Sequence, residues 1–176
     1  MTAFPGLTAG TWTVDPTHAE VGFVARHLMV AKVRGRFTEV SGTVEVGETL
    51  AETSVRAVAS AASVSTNQAD RDGHLRSADF FDVETYPELT FVSTSVSSDS
   101  MTGDLTIKGV TRSVTFDLEF DGVQADPWGN TKAGFTATTA INRSDWGLTW
   151  NAAIEGGGVL VSDKIAITLE VELLKG

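Results

Sequence analysis

The chain of 176 residues has no cysteine, which excludes disulfides, thiol catalysis and thiolate metal sites and fits a reducing compartment. It is short of positive charge: 13 Lys and Arg stand against 23 Asp and Glu, a net charge of −10. A nucleic-acid partner needs clustered Lys and Arg to meet its phosphates and is not expected. The same deficit argues against docking on anionic lipid through a basic patch. No run approaches the roughly 18–20 apolar residues of a membrane span, so stable insertion is not expected either. The start, Met1-Thr2-Ala3-Phe4-Pro5-Gly6, has neither a basic stretch nor a long apolar one. It does not read as a secretory signal, and taking Met1 as the start a cytoplasmic protein is expected. GxSxG, Walker and dinucleotide-binding patterns are all missing, so no catalytic motif points to an enzyme. Repeats, low-complexity tracts and linkers are missing too, which leaves a single domain over residues 1–176.

What is present is alternation. Ile165, Ile167, Leu169, Val171 and Leu173 share one parity, and Lys164, Thr168, Glu170 and Glu172 share the other, the pattern of a half-buried strand. Val114, Phe116, Leu118 and Phe120 alternate with Thr115, Asp117, Glu119 and Asp121, and Met101, Leu105 and Ile107 alternate with polar residues. Lys108 to Arg112 reads as the hairpin between these two strands, and Asp126-Pro127-Trp128-Gly129-Asn130 as a second turn, leading to a strand with Ala133, Phe135, Ala137 and Ile141 on one face. An early strand covers 19–29, with Val21, Phe23, Ala25, His27 and Met29 in one parity. A longer one covers 33–46 and switches parity between Phe37 and Val40, which predicts a bulge near Thr38-Glu39. Val55–Val64 and Leu89–Val96 complete the set. Only Leu50–Glu52 and Ala69–Ser77 look helical.

About eight strands with one or two short helices predict an all-β protein, an antiparallel sandwich or a closed barrel. Inward faces that mix Phe with Gly and Ala favour the barrel. They fit both an internal cavity and a filled core. The densest chemistry lies in Arg71-Asp72-Gly73-His74-Leu75-Arg76-Ser77-Ala78-Asp79-Phe80-Phe81-Asp82. A charged turn or short helix that delivers two aromatics to a β structure suggests the mouth of a barrel, and the segment 69–81 is expected to cover one end and gate it.

An ordered set of motifs runs along nearly the whole chain. Trp12-Thr13-Val14-Asp15-Pro16-Thr17-His18 is followed by Val21-x-Phe23-x-x-x-His27-Leu28-Met29 and Val33-x-Gly35-x-Phe37. Then come Arg71-Asp72-Gly73-His74-Leu75, Asp79-Phe80-Phe81-Asp82 and Tyr86-Pro87. Gly103 to Thr111, Asn142-Arg143-Ser144-Asp145-Trp146-Gly147 and Val161-x-Asp163-x-Ile165 complete the set. From about Gly10 to Leu174 the chain closely resembles the YceI-like family. The resemblance implies an eight-stranded antiparallel, lipocalin-like barrel with an elongated apolar tunnel. It further implies binding, storage or transport of a polyprenyl lipid, a quinone tail or a similar amphiphile, with no cofactor beyond that ligand, and homodimers among its members. Many members carry a signal peptide, which is not expected here.

Phe23, Phe37, Phe80, Phe81, Phe91, Phe116, Phe135 and Trp146 are the candidate tunnel residues, each on an apolar parity or in one of these motifs. Any one of them also fits plain core. His27 shares the parity of Phe23 and should point inward, either to meet a polar head group or as a satisfied core histidine. His18, Arg71, Asp72, His74 and Arg143, with Arg26 and Asp145, are candidates to orient a head group at the mouth. Asp72 equally fits a helix cap, and Arg143-Ser144-Asp145 a local turn. His18, His27 and His74 are the three histidines, and their spacing matches no metal-ligand signature, so no metal is expected. An enzyme that uses an inward His27 in the same cavity is the alternative reading.

Overall fold

The computed structural model describes residues 4–28, 30–151 and 161–176. Met29, read above as the last inward residue of the first strand, lies outside the described residues. Ten strands follow in chain order: β1 (Gly10–His27), β2 (Ala31–Phe37), β3 (Val40–Val46), β4 (Ser54–Ser60), β5 (Val64–Ser65), β6 (Glu88–Val96), β7 (Ser100–Ile107), β8 (Val110–Ala125), β9 (Thr131–Asn142) and β10 (Lys164–Lys175). One α-helix, α1 (Ala69–Arg76), stands between β5 and β6, and 3-10 turns occupy Leu50–Glu52, Ala61–Ser63 and Arg143–Trp146.

All pairings are antiparallel and β10 returns to pair with β1, so the sheet closes on itself. β2 and β3 both pair with β1, as Val21↔Phe37 and Thr13↔Thr43, and together they form one bent strand. β5 is a two-residue clip on the outer edge of β2. Ten strands less the clip, with β2 and β3 counted as one, leave eight in an up-and-down barrel.

The predicted parity switch near Thr38-Glu39 is a full break between β2 and β3. It is held by Thr38 N donating to Ser63 O at 3.2 Å and Ser60 N donating to Glu39 O at 2.9 Å. The same contacts end β4 at Ser60, six residues beyond its start, where the sequence pattern runs on to Val64. Ser63 Oγ closes the turn on Ser60 O at 2.7 Å. The first strand starts at Gly10, well before Ala19. Its register slips between Val14 and Ala19, where Asp15 Oδ1 accepts from both Thr17 N and Thr17 Oγ1. That turn lets β1 bend without losing either neighbour and hides its first half from a parity reading.

The barrel has two unlike ends. The first carries residues 4–9, the β3–β4, β6–β7 and β8–β9 hairpins and the C-terminus. Here Phe4 stacks against Phe120 and Phe135 at 5.2 and 5.3 Å between ring centres, over the fully buried Trp12. The second carries the β1–β2 turn, the excursion 61–87 with α1, the β7–β8 hairpin and the β9–β10 connection. Lys108 Nζ donates to Ala78 O at 2.8 Å, and a β-carbon on Gly109 would press on the Tyr86 ring at 2.7 Å. Ser144 donates from its amide and its hydroxyl to the Asp163 carboxylate, both at 3.0 Å. Most of the motifs picked out in the sequence therefore meet at this one end.

Candidate functional site: an apolar cavity inside the barrel

The inward parities enclose a cavity of about 280 Å³. Ile165, Ile167, Leu169, Val171 and Leu173 of β10 all line it, as do Phe116 and Leu118 of β8 and Phe91 of β6. The lining reaches from Phe4 and Leu7 at the first end to Leu75, Phe80 and Phe81 at the second. Thr53, Thr90 and Arg143 are its polar members. Ring contacts follow the same course. Phe91 meets Phe116 edge-on at 5.4 Å, and Phe37 bridges Phe23 and Phe81 at 5.8 and 5.6 Å. Such a space offers an alkyl or isoprenoid chain dispersion contact and no hydrogen bonds to satisfy.

The structure brings seven of the eight candidate aromatics to this lining: Phe23, Phe37, Phe80, Phe81, Phe91, Phe116 and Phe135. Trp146 is outside it. Its indole Nε1 donates to Leu105 O at 2.9 Å, and the ring is buried behind the cavity wall. His27 is also outside the lining. It is the last paired residue of β1, opposite Ala31 and bridged to Val161, where the strand has passed the rim of the barrel. Parity gave its side of the strand and could not give its height. Phe4, Leu7, Leu75 and Leu148 line the cavity without having been picked out. They sit in turns and in the helix, where no alternation marks a face.

The mouth candidates divide. Leu75, Phe80 and Phe81 bring the 69–81 segment over the second end. His74 lies beside it, its Nε2 2.8 Å from Asp79 Oδ2 and its ring edge-on to Phe80 and Trp150. Asp72 is buried and accepts from the amide and hydroxyl of Thr66, so it braces the loop ahead of the helix, while Gln68 caps the helix itself. Arg71 donates to the same Thr66 from the other side. Arg143 is 95% buried and its guanidinium donates to the carbonyls of Ser162, Leu148, Trp150 and Val161. Desolvation pushes its pKa down. Among the described residues it is also the one formal charge on the cavity wall, with its Cζ 5.8 Å from the centre of the Phe80 ring. Arg26 and Asp145 are exposed on the outside.

The three histidines do not converge. His18 lies on the outer face in an ion-pair cluster, its Nδ1 3.1 Å from Asp15 Oδ2. Lys132 Nζ sits 3.0 Å from Asp15 Oδ2 and 3.4 Å from Glu172 Oε2, where a cation bound by that cluster would have to be. The hydrogen bond from the Thr17 hydroxyl, with Lys132 and His18 beside it, holds the Asp15 carboxyl well below the usual carboxylate range, against the opposing effect of burial.

A closed antiparallel barrel around an apolar cavity is the architecture of a lipocalin-like protein. Comparison with known proteins sharpens this class to a family. The model of the YceI-like domain matches residues 12–173. UPF0312 protein SAS2572 of Staphylococcus aureus is 38% identical over 164 residues, covering 92% of this chain and 95% of that protein. Among solved structures, the Campylobacter jejuni YCEI protein is 32% identical, with a TM-score of 0.71 over 86% of this chain and 90% of that one. A polyisoprenoid binding domain from Saccharophagus degradans, implicated in plant cell wall breakdown, shares the fold with a TM-score of 0.73 over 94% of this chain and 98% of that one, at 17% identity. The chain belongs to the YceI-like family.

Proposed function

We propose that this protein binds the apolar tail of an isoprenoid lipid, a quinone or a similar amphiphile in the barrel cavity and carries or stores it without bond chemistry. The observation that carries the reading is the lining itself, which extends along the barrel and has three polar members among the described residues. A cavity of about 280 Å³ is at the small end of the range for ligand pockets, roughly 300–1,000 Å³, so it suits one narrow chain better than a bulky ring. The name of the Saccharophagus degradans domain points the same way. The tail lies along the bore and the polar head sits at the second end, near Arg143 and His74. His27, the residue on which the enzyme alternative rests, is not among those that line the cavity, which favours the binding reading.

The test is mass spectrometry of material extracted from the protein purified from its own source, followed by titration with a polyprenyl alcohol, an isoprenoid quinone and a straight-chain fatty amide. A stoichiometric amphiphile in the extract, and displacement of it by one of the three, is the expected result. Ala137→Phe, which fills the cavity from β9, should weaken that binding at least about tenfold. Protein that is empty on isolation and takes up none of the three overturns the reading.

A further inference from the structure

The acidic balance of the chain is not spread evenly. From Val21 to Thr38 there is no Asp or Glu, while Arg26, Lys32, Arg34 and Arg36 all fall there. The fold turns that stretch into the β1–β2 hairpin with Arg26 opposite Lys32. Val21, Phe23, Ala25 and Phe37 of the hairpin line the cavity, so the four even-numbered cations project from the opposite, outer face, and all four are exposed. Among the described residues none of them lies within ion-pair distance of a carboxylate. At the tip, Leu28 is 40% exposed and Val30 81% exposed, two of the four large apolar residues exposed among the described residues.

We infer that the β1–β2 hairpin is a peripheral docking surface for an anionic phospholipid bilayer, with Leu28 and Val30 entering the headgroup layer and Arg26, Lys32, Arg34 and Arg36 meeting the lipid phosphates. An apolar tip with Arg26 and Lys32 at its base and Arg34 and Arg36 further down β2 suits the interface of such a membrane, which attracts basic side chains and admits small apolar ones. The net charge of −10 does not prevent this. The Debye length is about 8 Å at physiological salt, so the acidic hairpins at the far end of the barrel, with Glu45, Glu48, Glu52, Asp99 and Asp126, are screened from a membrane at this end, while Asp70, Asp79, Glu84, Asp145 and Asp163 share this end and confine the attraction to the hairpin itself. A nucleic acid would take the cations and leave the apolar tip unexplained. Protection of an open edge, a common use of Lys and Arg on edge strands, fits β2, whose outer edge is paired only at Arg36 and Phe37 among the described residues. It too leaves Leu28 and Val30 unexplained. The hairpin tip stands at the same end as α1, so docking brings the cavity mouth to the bilayer. The surface is separate from the cavity lining and is tested without reference to what the cavity holds.

The experiment is flotation of the whole protein with vesicles of phosphatidylcholine alone, or with phosphatidylglycerol added to about a third, at about 0.1 M salt. Binding to the anionic vesicles and not to the neutral ones is expected. Lys32→Glu with Arg34→Glu should reduce it at least about tenfold. Leu28→Asn with Val30→Ser keeps every charge, places Asn at a backbone φ of 55° that it tolerates, and should reduce binding several-fold. Unchanged thermal melting confirms that each variant folds. Absence of binding to anionic vesicles overturns the proposal. So does binding that the apolar-tip variant leaves untouched, or equal retention on duplex DNA by wild type and apolar-tip variant, each of which makes the hairpin a generic polyanion site. Edge-strand variants that self-associate while the wild type never floats overturn it in favour of edge protection.

Discussion

Gly35 of β2 lies directly opposite Phe23 of β1, and the Phe23 ring occupies the place that a β-carbon on Gly35 would take. Gly103 is opposite Ser93 and diagonal to Phe91, and the Phe91 ring likewise occupies the place of its β-carbon. Each glycine is a seat for an aromatic on the next strand, and the rings fold against the wall because of it. Gly35→Val therefore drives Phe23 toward the cavity centre. Urea denaturation should show a loss of about 1–3 kcal/mol, and bound amphiphile should fall in the same variant. A variant as stable as the wild type would mean that the ring has a second rotamer free.

Arg143 holds the β9–β10 connection by reaching four carbonyls from one planar group. Lysine keeps the charge and loses that fork. Arg143→Lys should cost at least about 2 kcal/mol in denaturant unfolding. If Arg143 served the ligand's head alone, the same variant would change binding and leave stability where it was.

The Asp15 cluster gives the protein a pH dependence of known sign. A carboxyl whose folded pKa lies below its ordinary value of 3.8 contributes stability that is complete above that value. It is lost as pH falls below 3.8 toward the folded value, because the unfolded chain takes up the proton first. Thermal melting followed from pH 6 to about pH 2 should steepen below about pH 4, and Asp15→Asn should remove part of that slope. The variant should also be less stable at neutral pH by roughly 1–2 kcal/mol, with Thr17 and Lys132 left short of a partner.

Gly73 lies in the middle of α1 with ordinary helical backbone and open space where a side chain would go. It is not a hinge of special geometry. Gly73→Ala should stabilise the helix by about 0.5–1 kcal/mol. If the 69–81 segment opens to admit ligand, amide exchange there should slow on binding, and slow again in Gly73→Ala with a matching fall in the rate of ligand uptake. A segment already slow to exchange and blind to ligand would make it a static plug.

The barrel and most of its lining were legible because both rest on one signal. On β10 a single parity, Ile165 to Leu173, gives the strand, its inner face and its share of the cavity at once. The signal stops where the backbone stops alternating. Asp15 to His18 form a turn inside a strand, so the first half of β1 is hidden. Phe4 and Leu148 reach the cavity from irregular segments. His27 falls outside the lining for a different reason: alternation fixes which way a residue faces, and the height of the rim is not written in it; Trp146 rests on a motif, and a motif in a 3-10 turn carries no face at all. The roles of Asp72 and Arg143 depend on partners elsewhere in the chain, the amide and hydroxyl of Thr66 in one case and four carbonyls in the other, which residue type alone cannot supply.

The rings of Phe4, Phe120 and Phe135 pack together at the first end, and a bore that admits the proposed tail from the second end alone imposes an order of events. Whatever enters tail first must back out the same way, so two guests cannot pass and one cannot be pushed through by the next. Exchange is then strictly sequential, its rate fixed by departure and indifferent to the concentration of the incoming molecule. A chain longer than the bore must leave its remainder, head included, outside the protein.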